Sequence, residues 1–240
     1  MRFSTTLMAA GLLAAGPALA ADPHALSAPG GLASAVAGYI QMVRLDAKDP
    51  DTRNNRGSKA QTTKAQSKDD LYQIIVYYNA AIKRDPKDDD AYFHRGLAKL
   101  YAGALPAAMA DLSQASRLDP EYAYYALWID IVDKRANEAS SLAQAVPHFN
   151  MSKWPAPVVR LFLGETTPAA VLAAAEDPDP ATRTGQMCEA NFYNGEFALL
   201  QQGDRQEATR LFRLAAADCP HQFVEGASAM SELAALEGGE

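Results

Sequence analysis

The sequence predicts an all-α protein built from antiparallel helix pairs, and three observations support that class. Strand signals are nearly absent, because no sustained alternation of Val, Ile and Thr is bounded by hairpin dipeptides. Alanine, leucine and acidic helix starts dominate the chain after its first twenty residues, and prolines separate the helical runs. Two proline-ended blocks, 78–86 and 112–120, stand 34 residues apart, and this period indicates stacked helical repeats.

The first twenty residues predict a cleaved secretory signal. Arg2 supplies a positive charge, and the apolar run from Leu7 to Ala15 is too short to cross a bilayer. Ala18 and Ala20 place small residues where a signal peptidase requires them, so we expect cleavage after Ala20 and export to the periplasm. No cysteine follows that point directly, and the mature protein is therefore expected to be soluble and without a lipid anchor.

Composition narrows the range of partners. The chain carries 22 Lys+Arg against 29 Asp+Glu, which gives a formal net charge of −7. A negative protein is repelled by phosphate groups, so we do not expect nucleic acid as a partner. No later segment approaches the roughly 18 consecutive apolar residues of a spanning helix. The length suits one folded unit.

Residues 21–70 predict a mobile N-terminal segment that contains one short helix. Residues 21–31 are rich in Pro, Gly and Ala, and an apolar helix is predicted from Leu32 to Leu45. Residues 46–70 are rich in Lys, Asp, Asn, Gln and Thr and lack large apolar side chains. This composition indicates a loop or a frayed, solvated helix.

From residue 71 to residue 240 the pattern predicts a short α-solenoid of the tetratricopeptide-repeat (TPR) type, with repeats near 71–86, 89–120 and 188–220. Gly96 and Ala108 have little side chain, so two antiparallel helices can approach closely there, and Leu112 fills the gap beside them. Pro120 ends the second helix. The residues of the second repeat that fit the TPR pattern are Tyr92, Gly96, Ala98, Gly103, Ala108, Leu112, Ala115 and Pro120.

The last predicted repeat is one residue longer than the second, and we place the extra residue in the turn at 201–204. Helices of irregular pattern are expected between the two repeats, over 122–136, 137–145, a short stretch from Trp154 to Gly164, and 167–176. A final helix over 221–236 is predicted to cap the stack. The matching residues of the last repeat are Phe192, Gly195, Gly203, Asp204, Ala208, Phe212, Ala215 and Pro220.

The stretch from Asn191 to Glu225 resembles the last repeat of NlpI-type lipoproteins of the Gram-negative envelope, and the similarity extends over about 71–236. The motifs that carry it are Asn191-Phe192-Tyr193, Gly195, Gly203-Asp204, Ala208, Leu211-Phe212, Phe223-Val224-Glu225 and the pair Leu127-Trp128. This resemblance implies an all-helical adaptor, often a homodimer, that docks a periplasmic processing protease and cell-wall hydrolases. The family's lipid-bearing cysteine is missing here, so an outer-membrane tether is not implied.

Cys188 and Cys219 are the only cysteines of the chain. We predict Cys188 at the start of the first helix of the last repeat and Cys219 at the end of the second helix, which are neighbouring ends of an antiparallel hairpin. Because export leads to an oxidising compartment, we predict a disulfide. Two separate buried thiols are the alternative.

No catalytic, cofactor or metal site is predicted. His24, His94, His148 and His221 show no metal-ligand spacing, and zinc at Cys219 is disfavoured beside the disulfide. The chain lacks Gly-x-Ser-x-Gly, His-Glu-x-x-His and a phosphate-binding glycine loop. The acidic run 88–90 is interpreted as a helix start. An enzyme with an unrecognised site would have to use Trp154, Arg160 and Glu165.

A partner-binding groove is predicted on the first helices of the repeats, which line the concave face of a TPR stack. The predicted groove residues are Phe93, Leu97, Tyr101, Glu189, Phe192, Glu196 and Leu200. The alternative is that these side chains pack against neighbouring repeats. Aromatic and acidic groups together favour a peptide or helix of basic character.

The sequence therefore predicts a soluble periplasmic scaffold that presents substrates or regulators, such as peptidoglycan hydrolases, to an envelope protease. The second hypothesis is a structural TPR subunit of a larger envelope or secretion complex.

Overall fold

The computed structural model describes residues 68–220 and 223–237, and this part of the chain consists of ten α-helices and no strand. The helices are α1 Lys68–Arg84, α2 Asp89–Tyr101, α3 Leu105–Leu118, α4 Ala123–Arg135, α5 Leu142–Ala145, α6 Ala156–Phe162, α7 Pro168–Ala174, α8 Pro180–Phe197, α9 Arg205–Asp218 and α10 Val224–Glu237. A 3₁₀ turn, Val146–His148, follows α5, and a π-helical turn, Ala198–Gln202, follows α8. The all-α prediction is confirmed for these residues. The predicted secretory signal, the helix Leu32–Leu45 and residues 46–67 lie outside the described residues.

Consecutive helices pack as neighbours, and two hairpins share one local design. In the α2–α3 hairpin, a Cβ on Gly96 would lie 3.0 Å from Cγ of Leu112. In the α8–α9 hairpin, a Cβ on Gly195 would lie 2.7 Å from Cε1 of Phe212. Each first helix therefore carries a glycine where the large side chain of its second helix crosses it, because any side chain there would push the helices apart.

Acidic side chains begin several of these helices. The Asp88 carboxylate accepts a hydrogen bond from the Ala91 N–H at 2.8 Å and caps α2. Asp179 and Asp204 cap α8 and α9 in the same way. Asp89 and Asp90 lie in the first turn of α2, where their negative charge interacts favourably with the positive end of the helix dipole. The acidic run 88–90 is thus part of a helix start.

Three boundaries differ from the sequence prediction. Helix α8 begins at Pro180 and not near Cys188, because Asp179 caps it and proline fits the first helical position. The predicted helix 137–145 is helical only from Leu142, since Asn137 takes a left-handed conformation with φ 57°. The final helix begins at Val224. The extra residue of the last hairpin is accommodated in the π-helical turn Ala198–Gln202, which overlaps the start of the predicted turn 201–204.

One aromatic core joins the two hairpins through α4. The ring of Trp128 on α4 lies 6.4 Å from Phe93 of α2 and 5.3 Å from Phe192 of α8, centroid to centroid. Phe192 in turn lies 5.9 Å from Phe212 of α9. Such contacts combine large apolar burial with favourable ring geometry. They bring α2, α4 and α8 together in the described fold.

Within residues 68–220 and 223–237, none of the helices combines the length and the apolar character needed to cross a bilayer.

Candidate functional site

Two helices present matching pairs of buried glutamates. On α8, Glu189 and Glu196 are seven residues apart, and on α10 Glu225 and Glu232 have the same spacing. Seven residues are close to two full helical turns, so each helix carries its two buried glutamates on one face. We call Glu189 and Glu225 the first glutamate pair, and Glu196 and Glu232 the second glutamate pair.

Aromatic side chains hold the first glutamate pair. The Tyr124 hydroxyl donates a hydrogen bond to Oε2 of Glu189 at 2.5 Å, and Nε1 of Trp154 donates to the same oxygen. The Tyr193 hydroxyl donates to Oε1 of Glu225 at 3.1 Å. Together with the neighbouring Tyr122 these groups form what we call the acidic–aromatic cluster: Tyr122, Tyr124, Trp154, Glu189, Tyr193 and Glu225.

Burial makes the first glutamate pair hard to ionise. Burial raises the pKa of Glu189, and this effect exceeds that of the hydrogen bonds from Trp154 and Tyr124, which lower the pKa. Burial, together with the charge of Glu189, raises the pKa of Glu225 to about 8. No ion pair joins either carboxylate to a basic side chain within the described ranges. At neutral pH this pair therefore retains a proton that an incoming cation would displace.

The cluster reaches solvent at Tyr122. This side chain is 45% exposed, and its ring lies 5.1 Å from Tyr124 and 4.7 Å from Tyr125, centroid to centroid. Burial of its hydroxyl and the charges of Glu225 and Glu189 raise the pKa of Tyr122. The tyrosine therefore stays neutral and offers a ring face beside two carboxyl groups. Aromatic faces and carboxylates together suit an ammonium or guanidinium group.

The second glutamate pair already has its cation. Arg135, at the end of α4, donates from Nη2 to Glu196 at 2.8 Å and to Glu232 at 2.7 Å. Burial raises the pKa of Glu196 to about 8, although the charge of Arg135 opposes this shift. Burial lowers the pKa of Arg135, but the two carboxylates outweigh it and the net shift is upward. This arginine therefore links α4, α8 and α10.

The predicted groove does not exist as an open surface in this structure. Phe93, Leu97, Tyr101, Phe192, Glu189 and Glu196 are all buried, and Leu200 is partly buried. The physical reason is that Trp128 of α4 packs between Phe93 of α2 and Phe192 of α8. Helix α10 packs against α8 and is tied to α4 through the Arg135 ion pairs. Of the predicted groove residues, only Glu189 belongs to the acidic–aromatic cluster. The other groove residues pack in the core, except Glu196, which forms an ion pair with Arg135.

Cys188 and Cys219 form a disulfide that spans 31 residues, with their Cα atoms 4.8 Å apart. Cys188 lies within α8, one residue before Glu189, and Cys219 follows α9. A Cβ on Gly226 of α10 would lie only 2.7 Å from Cβ of Cys219. The disulfide therefore fixes the end of α9 against α8 beside the first turn of α10, which carries Glu225.

The remaining candidates do not come together in one site among the described residues. The ring of His94 stacks on Tyr78 with 5.3 Å between centroids, and His148 is exposed. His24 and His221 lie outside the described residues. Arg160 donates to the Met151 carbonyl at 2.7 Å, while Trp154 donates to Glu189 and Glu165 is exposed. Trp154, Arg160 and Glu165 therefore have separate surroundings, and only Trp154 joins the cluster.

Sequence reasoning did not identify Glu225, Tyr122 or Tyr124 as site residues. A usable signal was the spacing of Glu225 and Glu232 on α10, a helix otherwise made largely of small and apolar residues. The same spacing recurs on α8. Two glutamates at a two-turn spacing share one helix face, and among the small and apolar neighbours of α10 such a face indicates buried acids that need partners.

No protein-family model matches this chain.

Proposed function

We propose that this protein is a helical-repeat scaffold that binds a protein segment through a basic side chain, which enters the acidic–aromatic cluster. One observation carries the proposal. Two matching glutamate pairs lie along α8 and α10, and the second pair holds the guanidinium of Arg135, whereas the first pair has no cation within the described chain. A buried carboxyl pair of this kind gains most from a cation that arrives from outside.

A contact that recurs in two helix hairpins supports the scaffold part of the proposal. The glycine-to-large-residue contacts recur between Gly96 and Leu112 and between Gly195 and Phe212. Helix pairs of this type stack on their neighbours and give a long surface for protein ligands. A specific acidic pocket within such a surface would select peptides with lysine or arginine.

The predicted secretory signal and the disulfide favour a site of action in the periplasm, because disulfides persist in oxidising compartments. There the protein would act as an adaptor that brings substrates, such as cell-wall hydrolases, to a processing protease. This role needs no catalytic residue in the chain itself. The alternative is a structural subunit of an envelope complex, which would bind its neighbours permanently.

A crosslinked pull-down from the periplasm of the native host, followed by mass spectrometry, tests the role. We expect the wild type to capture a protease or hydrolase in less than stoichiometric amounts. Glu189→Gln/Glu225→Gln should lose that capture, whereas the surface variant Glu207→Gln should retain it. Capture of stoichiometric subunits by all three proteins would favour the structural alternative, and equal capture of a protease by all three would reject the acidic–aromatic cluster as the binding site.

A further inference from the structure

Each glutamate of the first glutamate pair keeps one carboxyl oxygen available. Oε2 of Glu189 accepts hydrogen bonds from Tyr124 and Trp154. Oε1 of Glu225 accepts one from Tyr193. No other described side chain donates to Oε1 of Glu189 or to Oε2 of Glu225. The two glutamates are only 7% and 4% exposed, so a cation that reaches these two oxygens has to lose much of its water.

This loss of water favours a guanidinium over an ammonium. An ammonium is a compact, strongly hydrated charge, whereas a guanidinium is planar, more weakly hydrated and carries N–H groups on three nitrogens. The second glutamate pair offers a precedent, because its cation is an arginine: Nη2 of Arg135 donates to Glu196 at 2.8 Å and to Glu232 at 2.7 Å. The same two helices, α8 and α10, carry the first pair two turns away.

Another arginine of the chain shows how a tyrosine ring takes part in such binding. Cζ of Arg95 lies 5.4 Å from the centroid of the Tyr92 ring. The same guanidinium donates from Nε and Nη2 to Asp111 at 2.7 Å and 2.6 Å, and Asp111 is 4% exposed. In this fold one guanidinium therefore satisfies a buried carboxylate while it lies over a tyrosine ring.

Tyr122 offers a ring of this kind at the first glutamate pair. It is the one exposed member of the acidic–aromatic cluster, with 45% exposure. Its ring centroid lies 5.1 Å from that of Tyr124, whose hydroxyl donates to Glu189 at 2.5 Å. The Tyr122 ring thus forms the solvent side of the cluster, next to the tyrosine that holds Glu189.

We propose that the basic group bound by the acidic–aromatic cluster is the guanidinium of an arginine side chain, and that Tyr122 sets this preference by packing its ring against the guanidinium. The available oxygens of Glu189 and Glu225 accept the N–H groups of the same guanidinium. This inference rests on the proposed function, because it concerns the same site. It adds the chemical identity of the ligand group and the residue that discriminates between arginine and lysine.

Calorimetric titration of the full chain at pH 7 with two blocked peptides tests the proposal. The peptides are acetyl-Ala-Ala-Arg-Ala-Ala-amide and acetyl-Ala-Ala-Lys-Ala-Ala-amide, so the arginine or the lysine supplies the only positive charge. We expect the wild type to bind the arginine peptide at least about five times more tightly than the lysine peptide.

Two substitutions of Tyr122 separate the ring from the hydroxyl. Tyr122→Phe keeps the ring and should keep the preference for arginine. Tyr122→Leu removes the ring and should lower the preference below about twofold, mainly by weakening the arginine peptide. Tyr72→Leu removes an exposed tyrosine from α1 and is the matched control, which should bind both peptides as the wild type does.

Each remaining outcome overturns a specific part of the account. Equal affinity of the wild type for both peptides would overturn the arginine preference and leave the cluster as a general site for basic groups. An unchanged preference in Tyr122→Leu, or an equal loss of preference in Tyr122→Phe, would overturn the role of the Tyr122 ring. Binding of neither peptide would overturn the proposed function, and this inference with it.

Discussion

The two glutamate pairs differ in one respect, which is the source of their positive charge. Both lie between α8 and α10, both contain buried carboxyl groups, and in each pair the pKa of one member is raised to about 8. Arg135 serves the second pair from α4. Among the described residues, the side-chain donors to the first pair are all neutral: the hydroxyls of Tyr124 and Tyr193 and the indole of Trp154.

This difference assigns different tasks to similar residues. A buried carboxylate with an internal cation fixes three helices relative to one another, and removal of that cation leaves an uncompensated charge. Burial raises the pKa of both members of the first pair, against the hydrogen bonds from their neutral donors, so the pair keeps a proton near neutral pH that it can exchange for an external cation. We therefore interpret the second pair as structural and the first pair as a recognition site.

The largest expected effect is the loss of the internal cation. Arg135→Met should lower the free energy of unfolding by about 3–5 kcal/mol, because Glu196 and Glu232 would stay buried without their partner. Urea denaturation at pH 7 measures this. The control is Arg213→Met, whose ion pair with Glu237 is exposed and should change stability by less than about 1 kcal/mol. A similar small loss in both variants would show that Arg135 does not hold the second pair together.

Removal of the disulfide should cause the next largest loss of stability. It should also disturb the first glutamate pair more than the second. Cys188→Ser/Cys219→Ser opens a loop of 31 residues, and loop-closure entropy predicts a loss of about 3–4 kcal/mol. Because the disulfide lies beside Glu189 and the first turn of α10, we also expect weaker binding of basic peptides. Denaturation together with a peptide titration checks both parts. Unchanged peptide affinity in a destabilised protein would show that the disulfide does not support the first pair.

The pH dependence of stability separates the first pair from surface acids. The folded pKa of Glu225 is raised to about 8 from a reference value of 4.5, so the folded protein binds more protons between these values and loses stability as pH rises from about 5 to 8. Glu225→Gln should flatten this slope and stabilise the protein at pH 8 by on the order of 2 kcal/mol.

Thermal denaturation of wild type, Glu225→Gln and Glu207→Gln at pH 5, 6, 7 and 8 measures that slope. Arg210 lowers the pKa of Glu207 through a side-chain hydrogen bond, so Glu207→Gln should leave the slope above pH 5 unchanged. An identical slope in all three proteins would show that Glu225 is ionised in the folded state at neutral pH.

The smallest expected change in stability comes from giving the first pair its own cation. Tyr122→Arg places a guanidinium at the exposed edge of the cluster and should change stability by less than about 1 kcal/mol, because the site is partly solvated. It should nevertheless compete with a basic ligand and weaken peptide binding at least tenfold. Tyr72→Arg, on exposed α1, is the matched control. Equal peptide affinity in both variants would place the binding site elsewhere.

The two helix hairpins could be predicted because the sequence patterns that specify them lie within one hairpin. Glycine opposite a large residue, a proline after the second helix and an acidic cap are all readable within 34 residues of Gly96 or Gly195. The cysteines are paired as their places in the hairpin suggested, although α8 begins earlier than predicted. These features depend on neighbouring helices, which a periodic sequence identifies well.

The site could not be predicted in the same way, because it depends on contacts between distant segments. Glu189 meets Tyr124 across 65 residues, and Arg135 meets Glu232 across 97 residues. The helical period places Glu189 and Phe93 on inner faces, but it does not say whether such a face is open or is covered by another helix. Here Trp128 of α4 lies between α2 and α8, and α10 packs against α8, so most of the predicted groove residues are buried.

Calorimetric titration of the full chain with the peptide Ala-Ala-Arg-Ala-Ala, in two buffers of different ionisation enthalpy at pH 6 and pH 8, tests whether the first glutamate pair binds a cation. We expect binding that releases a proton and tightens toward pH 8, no binding of the matched peptide with citrulline in place of arginine, and loss of binding in Glu189→Gln/Glu225→Gln but not in Glu207→Gln. Absence of binding, or binding that is independent of pH and unchanged in the double variant, would contradict the assignment of the first glutamate pair as a recognition site.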